Sequence, residues 1–124
     1  MSRIIYCDNA TENDRVLKYK LTTSPEIQKM SDLEGQRIDI IHFCEYEDTK
    51  TDRDGVEKTT IVLSVMTREG EMFATNSATV RDDFRNIVDV FGEDLDYENG
   101  TIPVRIKSGQ SKNGRKFFSM VYAD

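Results

Sequence analysis

The residue types that do chemistry by themselves are sparse in this sequence. It holds two cysteines, Cys7 and Cys44, and one histidine, His42. A zinc site takes about four Cys or His ligands at tight spacing. No Cys-x-x-Cys pair is present, so no metal centre is expected. Free cysteines pack as small apolar side chains, and that is how both are read. A disulfide between them would call for an oxidising compartment. His42 has no nucleophile near it in sequence and no carboxylate visibly placed to orient it. HExxH, GxSxG, P-loop and paired-carboxylate patterns are all missing. The expectation is a protein with no catalytic residue, no metal and no cofactor.

The distribution of charge says more. The formal net charge is -6 and the sequence pI about 4.8, which on its own argues against a polyanionic partner. The total hides a segregation. From Asp82 to Glu98 there are seven acids and one base, Arg85. From Thr101 to Ala123 there are five bases, Arg105, Lys107, Lys112, Arg115 and Lys116, and no acid. Local potential governs encounter with a polyanion more than the total does. Binding a nucleic-acid single strand without sequence preference needs a cationic track for the backbone and aromatic faces for the bases. The five bases supply a track, Lys50, Arg53 and Lys58 add to it from another loop, and Phe117 and Phe118 stand beside it. Neighbours on a strand point to opposite faces. Phe117 is assigned to the site, and which of the two rings faces a ligand stays open.

The elements that would position these residues follow from periodicity. Leu17, Tyr19 and Leu21 alternate, which predicts a half-buried strand over 15–21. Ser24-Pro25-Glu26 has the form of a helix start and predicts a short helix to about Met30. A β-branched and aromatic run over 36–46 predicts a strand whose alternation slips at Ile40-Ile41, the mark of a bulge. A polar loop over 49–55 leads to a strand over 59–66 with Ile61, Leu63 and Val65 on one face. A turn at 68–71 leads to a strand over 72–75, so this pair reads as a hairpin. A helix begins at Thr79 with Asp82 as an approximate capping box. Val80, Phe84, Ile87, Val88 and Phe91 form its apolar stripe, its acids face solvent, and Gly92 is its C-cap. Ile102, Val104 and Ile106 point inward on the next strand, so Arg105 and Lys107 point outward together. Asn113-Gly114 marks a hairpin turn, and the last strand runs over 117–122.

Three strands, a helix and two strands is the order of a five-stranded OB-fold barrel. Such a barrel binds oligonucleotides on the face of its second and third strands, between two rim loops. The chain is therefore read as mainly β, with an N-terminal extension over 1–33 packed on an OB-fold domain over 34–124. No apolar run reaches the about 20 residues of a membrane span. The start, Met1 to Tyr6, is not a signal peptide, and a cytoplasmic location is expected.

The segment from Leu33 to Asp124 resembles the small single-stranded-DNA-binding proteins of protein-primed phages and related Gram-positive mobile elements. The likeness lies in Leu33-Glu34-Gly35-Gln36, in Thr59-Thr60-Ile61-Val62 continuing through Arg68-Glu69-Gly70-Glu71-Met72-Phe73 to Ser77, and in the hairpin from Pro103 to Ser119 that ends in Phe-Phe-Ser. The resemblance implies an OB-fold that coats displaced strands during replication in a bacterial host cell. It also implies base-stacking rings at the ends of the first and third strands, here Tyr46 and Phe73. Residues 1–33 fall outside it.

Expected partners are single-stranded DNA, with single-stranded RNA not distinguished from it, and replication proteins, with no membrane. The chain would be a monomer or associate weakly along DNA. The competing readings are an OB-fold protein-interaction module and an acidic DNA mimic built on residues 82–98. Double-stranded DNA is a poor fit, because the one clear helix is acidic.

Overall fold

The computed structural model describes residues 2–91, 101–110 and 112–123. The Gly92 C-cap, the acids Glu93, Asp94, Asp96 and Glu98, and the Asn99-Gly100 loop of the sequence reading lie outside the described residues, as does the Phe91 side chain.

The first 33 residues do not form the expected strand and helix. Strand β1 (Ser2–Cys7) is followed by helix α1 (Asn9–Glu12), helix α2 (Arg15–Thr23), strand β2 (Gln28–Lys29) and a 3-10 turn over Met30–Leu33. Residues 15–21 are helical because Asp14 caps them, accepting from the amides of Val16 at 2.9 Å and Leu17 at 3.2 Å. Leu17 and Leu21 are two residues apart from Tyr19, but they are also four apart from each other. On a helix they share the buried face, while Tyr19 turns outward to 61% exposure. Ser24 ends this helix instead of starting another. Its hydroxyl accepts from the Glu26 amide at 3.2 Å and tightens the turn at Pro25.

From residue 37 the sequence pattern and the structure agree closely. Strand β3 (Arg37–Thr51) pairs with β4 (Glu57–Thr67), which pairs with β5 (Met72–Thr75). Helix α3 (Ala78–Phe91) follows, then the ribbon β6 (Ile102–Gln110) and β7 (Lys116–Tyr122). The β3–β4 register shifts between Ile40 and His42, which makes Ile41 the bulged residue. The β3–β4 pair is a hairpin that runs beyond the strands expected over 36–46 and 59–66, with Thr49, Lys50 and Thr51 paired to Thr59, Lys58 and Glu57. Its loop shrinks to the turn at Asp52–Val56, where the Asp52 carboxylate accepts from the amides of Asp54 and Val56. Helix α3 is capped by Ser77, not Thr79, since the Ser77 hydroxyl accepts from the Val80 amide at 3.3 Å.

The expected order of three strands, a helix and two strands is present, and with β1 and β2 the strands make a curled, seven-stranded half-barrel. Its order is β2-β5-β4-β3-β6-β7, with β1 added to β3, so β2 and β7 end the path among the described residues. One core lies between the inner face and α3, where Phe43 meets Phe84 edge-on at 4.9 Å between centroids. A second lies on the outer face under α2, with Leu21, Cys44, Tyr46, Met66 and Met72. The two thiols are free and buried there, with sulfurs 3.2 Å apart. Contact with Cys7 and burial push the Cys44 thiol far up, so it keeps its proton.

Asp8 ties the first residues to the sheet. It is 2% exposed and accepts from the Phe43 amide at 2.9 Å, from His42 Nδ1 at 2.9 Å and from the Thr11 hydroxyl. Burial raises its pKa, but the hydrogen bonds from His42, Thr11 and Phe43 together outweigh that and hold it below 3.8. Stability from this group is therefore complete above the ordinary carboxylate value and is lost as pH falls through the lower folded value. Asp8→Ala is expected to cost about 2–4 kcal/mol at neutral pH, since it leaves a buried amide unpaired. Urea unfolding at pH 7 and in acid checks this: the gap between wild type and variant narrows in acid, and equal stability at pH 7 contradicts it.

Candidate nucleic-acid interface

The outer face of β4 and β5 is covered at one end by α2 and open at the other. On the open end, two adjoining depressions of about 490 and 580 Å³ share Lys50, Val62 and Asn76. Together they form a groove that runs from Asp52 and Lys58 on the long hairpin to Lys29 on β2 and Phe118 on β7. Strand geometry explains who lines it. Lys50 pairs directly with Lys58, Asp48 with Thr60 and Tyr46 with Val62, so these side chains stand on one face. Asn76 and Ser77 bring the amino end of α3 to the same groove. A helix amino end carries partial positive charge that favours anions.

Two lysines directly opposite each other on a strand pair repel. The acids nearby answer this only in part. Asp48 lies 3.7 Å from the Lys50 ammonium, which is 83% exposed. Asp52 is occupied with turn amides. An anion bound between Lys50 and Lys58 would relieve the repulsion.

The two rings that the family resemblance marked for stacking are buried. Tyr46 is 6% exposed and sits in the outer cluster beneath α2, where burial, then the Asp48 charge, raise its phenol pKa. Phe73 is 4% exposed and belongs to the inner core. As placed, neither offers a face to a base, and this corrects their reading as platforms. The ring in the groove is Phe118, which is half-buried and rests on the core edge. Phe117 points to the opposite face of the β6–β7 ribbon and is 43% exposed.

The cations of the ribbon also divide. Arg105 and Lys107 alternate with buried Val104 and Ile106, so they share the outward face with Phe117, as expected from their spacing. Lys112 and Arg115 are exposed in the turn, and Arg53 is exposed at the tip of the other turn. Lys116 is not the unopposed charge that the local sequence suggested. Its ammonium lies 2.7 Å from Glu34 and 5.4 Å from the Phe118 ring centroid. Lys116, then the Ser108 hydroxyl, hold the Glu34 carboxyl below its usual value. Arg105 donates to the Gly35 carbonyl at 2.8 Å. One continuous trough holding all the cations and rings is therefore not what forms: Lys50 and Phe118 line the groove, while Arg105, Lys107 and Phe117 lie on the ribbon's other face. Lys29, Asn76 and Ser77 were missed in the sequence. Lys29 falls within the short helix expected to about Met30, and Asn76 and Ser77 fall between the strand expected over 72–75 and the helix expected from Thr79.

Among the described residues, no three or more His, Cys, Asp or Glu side chains could hold a metal ion. No helix among them is long and apolar enough to cross a membrane.

The structure is a curled β half-barrel with an open groove on its outer face, lined by Lys29, Lys50 and Lys58. The chain belongs to the Phi29-type family of phage single-stranded DNA-binding proteins, whose model matches residues 6–122. The match takes in most of the first 33 residues, which the sequence resemblance left out. No curated protein and no solved structure gives a significant match.

The core assignment of Phe73 is open to measurement. Phe73→Ala is expected to cost about 3–5 kcal/mol of unfolding free energy. A loss of less than about 1 kcal/mol in chemical denaturation would fit a surface ring instead.

Proposed function

We propose that the protein binds single-stranded DNA without strong sequence preference in the groove between Lys58 and Phe118, and that it coats strands displaced during replication or transfer of a phage or mobile element. The observation that carries this reading is the facing pair Lys50 and Lys58 in an open groove that ends on an aromatic ring. Family membership supports the ligand class. The fold supports the location: the outer face of the second and third strands is where OB-folds hold oligonucleotides. In this reading the half-barrel is an OB-fold that is left open and carries extra strands from residues 1–33.

Each part of the groove has a task that suits a ligand of any sequence. Lys50, Lys58 and Lys29 take phosphates, and Phe118 takes the face of a base, which every base has. Arg53, Lys112 and Arg115 on the two rim turns raise the local potential and draw the strand in. The exposed acids of α3, Asp82 and Asp89, stand on the far side of the inner core and do not line the groove.

Titration of a fluorescent poly-dT oligonucleotide at several salt concentrations tests the proposal. Engagement of about three to five phosphates gives a slope of log K against log salt of about -2 to -4. Lys50→Glu with Lys58→Glu is expected to weaken binding and to flatten the slope by about 1–2. No binding at low salt would remove the function, and an unchanged slope in the double variant would remove the groove.

A further inference from the structure

We infer that the outward face of the β6–β7 ribbon is a second base-stacking site, so that a strand lying in the groove continues round the turn end of the ribbon and is held on both of its faces. The inference rests on the proposed DNA-binding function and adds a subsite to it. It starts from Phe117, a large aromatic side chain left 43% exposed. Phe117 pairs across the ribbon with Gly109. Its ring occupies the space that any other residue at 109 would fill: a Cβ there would lie 2.9 Å from Cζ and 3.3 Å from Cε1. The glycine lets the ring lie across the neighbouring strand, one side seated on backbone and the other open to solvent. A ring held in this way has already lost the motion that stacking would take from it.

The surroundings fit a nucleic-acid backbone. Lys107 and Arg105 precede Gly109 at steps of two along β6 and share its face, and Arg37 on β3 pairs with Arg105 on the same side. Asp39, an acid on that face, is held by Arg37 at 3.3 Å. Phe118, the next residue along the chain, points into the groove on the other face. The crossing between the faces is at the turn end, where Lys112 and Arg115 are exposed.

Gly109→Ala, Phe117→Leu and Phe117→Tyr test this against two dT oligonucleotides, one of about 5 and one of about 20 nucleotides, lengths chosen around the site size of a single OB-fold. Fluorescence anisotropy at fixed low salt reads the affinities, and thermal unfolding checks each variant's fold. The long oligonucleotide is expected to bind about 5- to 100-fold more weakly to Phe117→Leu and Gly109→Ala. The short one, which the groove alone can hold, binds all the proteins alike, and Phe117→Tyr retains wild-type affinity for both. Wild-type affinity of Phe117→Leu for the long oligonucleotide overturns the second site. An equal loss for both lengths overturns the two-face path in favour of one site. The Phe117→Leu and Phe117→Tyr pair decides the matter even if Gly109→Ala fails to fold. Failure of the wild-type protein to bind either length is a different result and removes the underlying function.

Discussion

Strand β3 is the constraint on which the architecture depends. It gives one edge to β4 from Ile40 to Thr51 and divides the other between two partners, β6 along Arg37–Ile40 and β1 along Cys44–Asp48. The bulge at Ile41 lies between those two stretches. A bulge bends a strand and increases its twist, and here the bend coincides with the change of neighbour. Before it, β3 belongs to the wall formed with the ribbon; after it, β3 carries the N-terminal strand and then runs out with β4 as a two-stranded arm. Lys50, Thr51 and Lys58 of that arm line one end of the groove.

Most of the fold after residue 36 was legible because its signals are local. The slip at Ile40-Ile41, the stripe of Val80, Phe84, Ile87 and Val88, and the alternation of Ile102, Val104 and Ile106 each reflect burial against one layer. The first 33 residues were misread for a related reason. Leu17, Tyr19 and Leu21 satisfy a period of two and a helical spacing equally well, and the Asp14 cap decided between them. The site was harder to read than the fold. Alternation puts Tyr46 on the outer face, but whether that face meets water or α2 is a tertiary matter. Phe73 and Phe118 show the same limit in opposite directions: each lies on a strand with an apolar neighbour beside it, and only the assembled sheet separates the ring in the core from the ring in the groove.

The negative net charge becomes intelligible once the acids are located. Several of them satisfy the protein's own donors. Asp8 holds Phe43, His42 and Thr11; Glu45, 4% exposed, holds Arg85 at 2.9 Å; Asp83 accepts from the Met120 amide at the edge strand; Asp52 shapes a turn. Glu45 is neutralised by the Arg85 charge it binds, whereas Asp83 and Asp52 accept from neutral amides and keep their charge. What an approaching polyanion meets is governed by the exposed side chains, and among the exposed charged residues that line the groove Lys29, Lys50 and Lys58 outnumber Asp52.

The contact between Glu34 and Lys116 has a consequence for ionic linkage. Most lysines on a surface exchange a loosely held solution ion when a phosphate arrives, and that exchange gives nucleic-acid binding its sensitivity to salt. Lys116 already has a resident counterion, supplied by the chain itself from 82 positions away in sequence. A phosphate that reaches it displaces a carboxylate that stays tethered nearby and can return. Such a position adds little to the salt dependence of any phosphate contact made there.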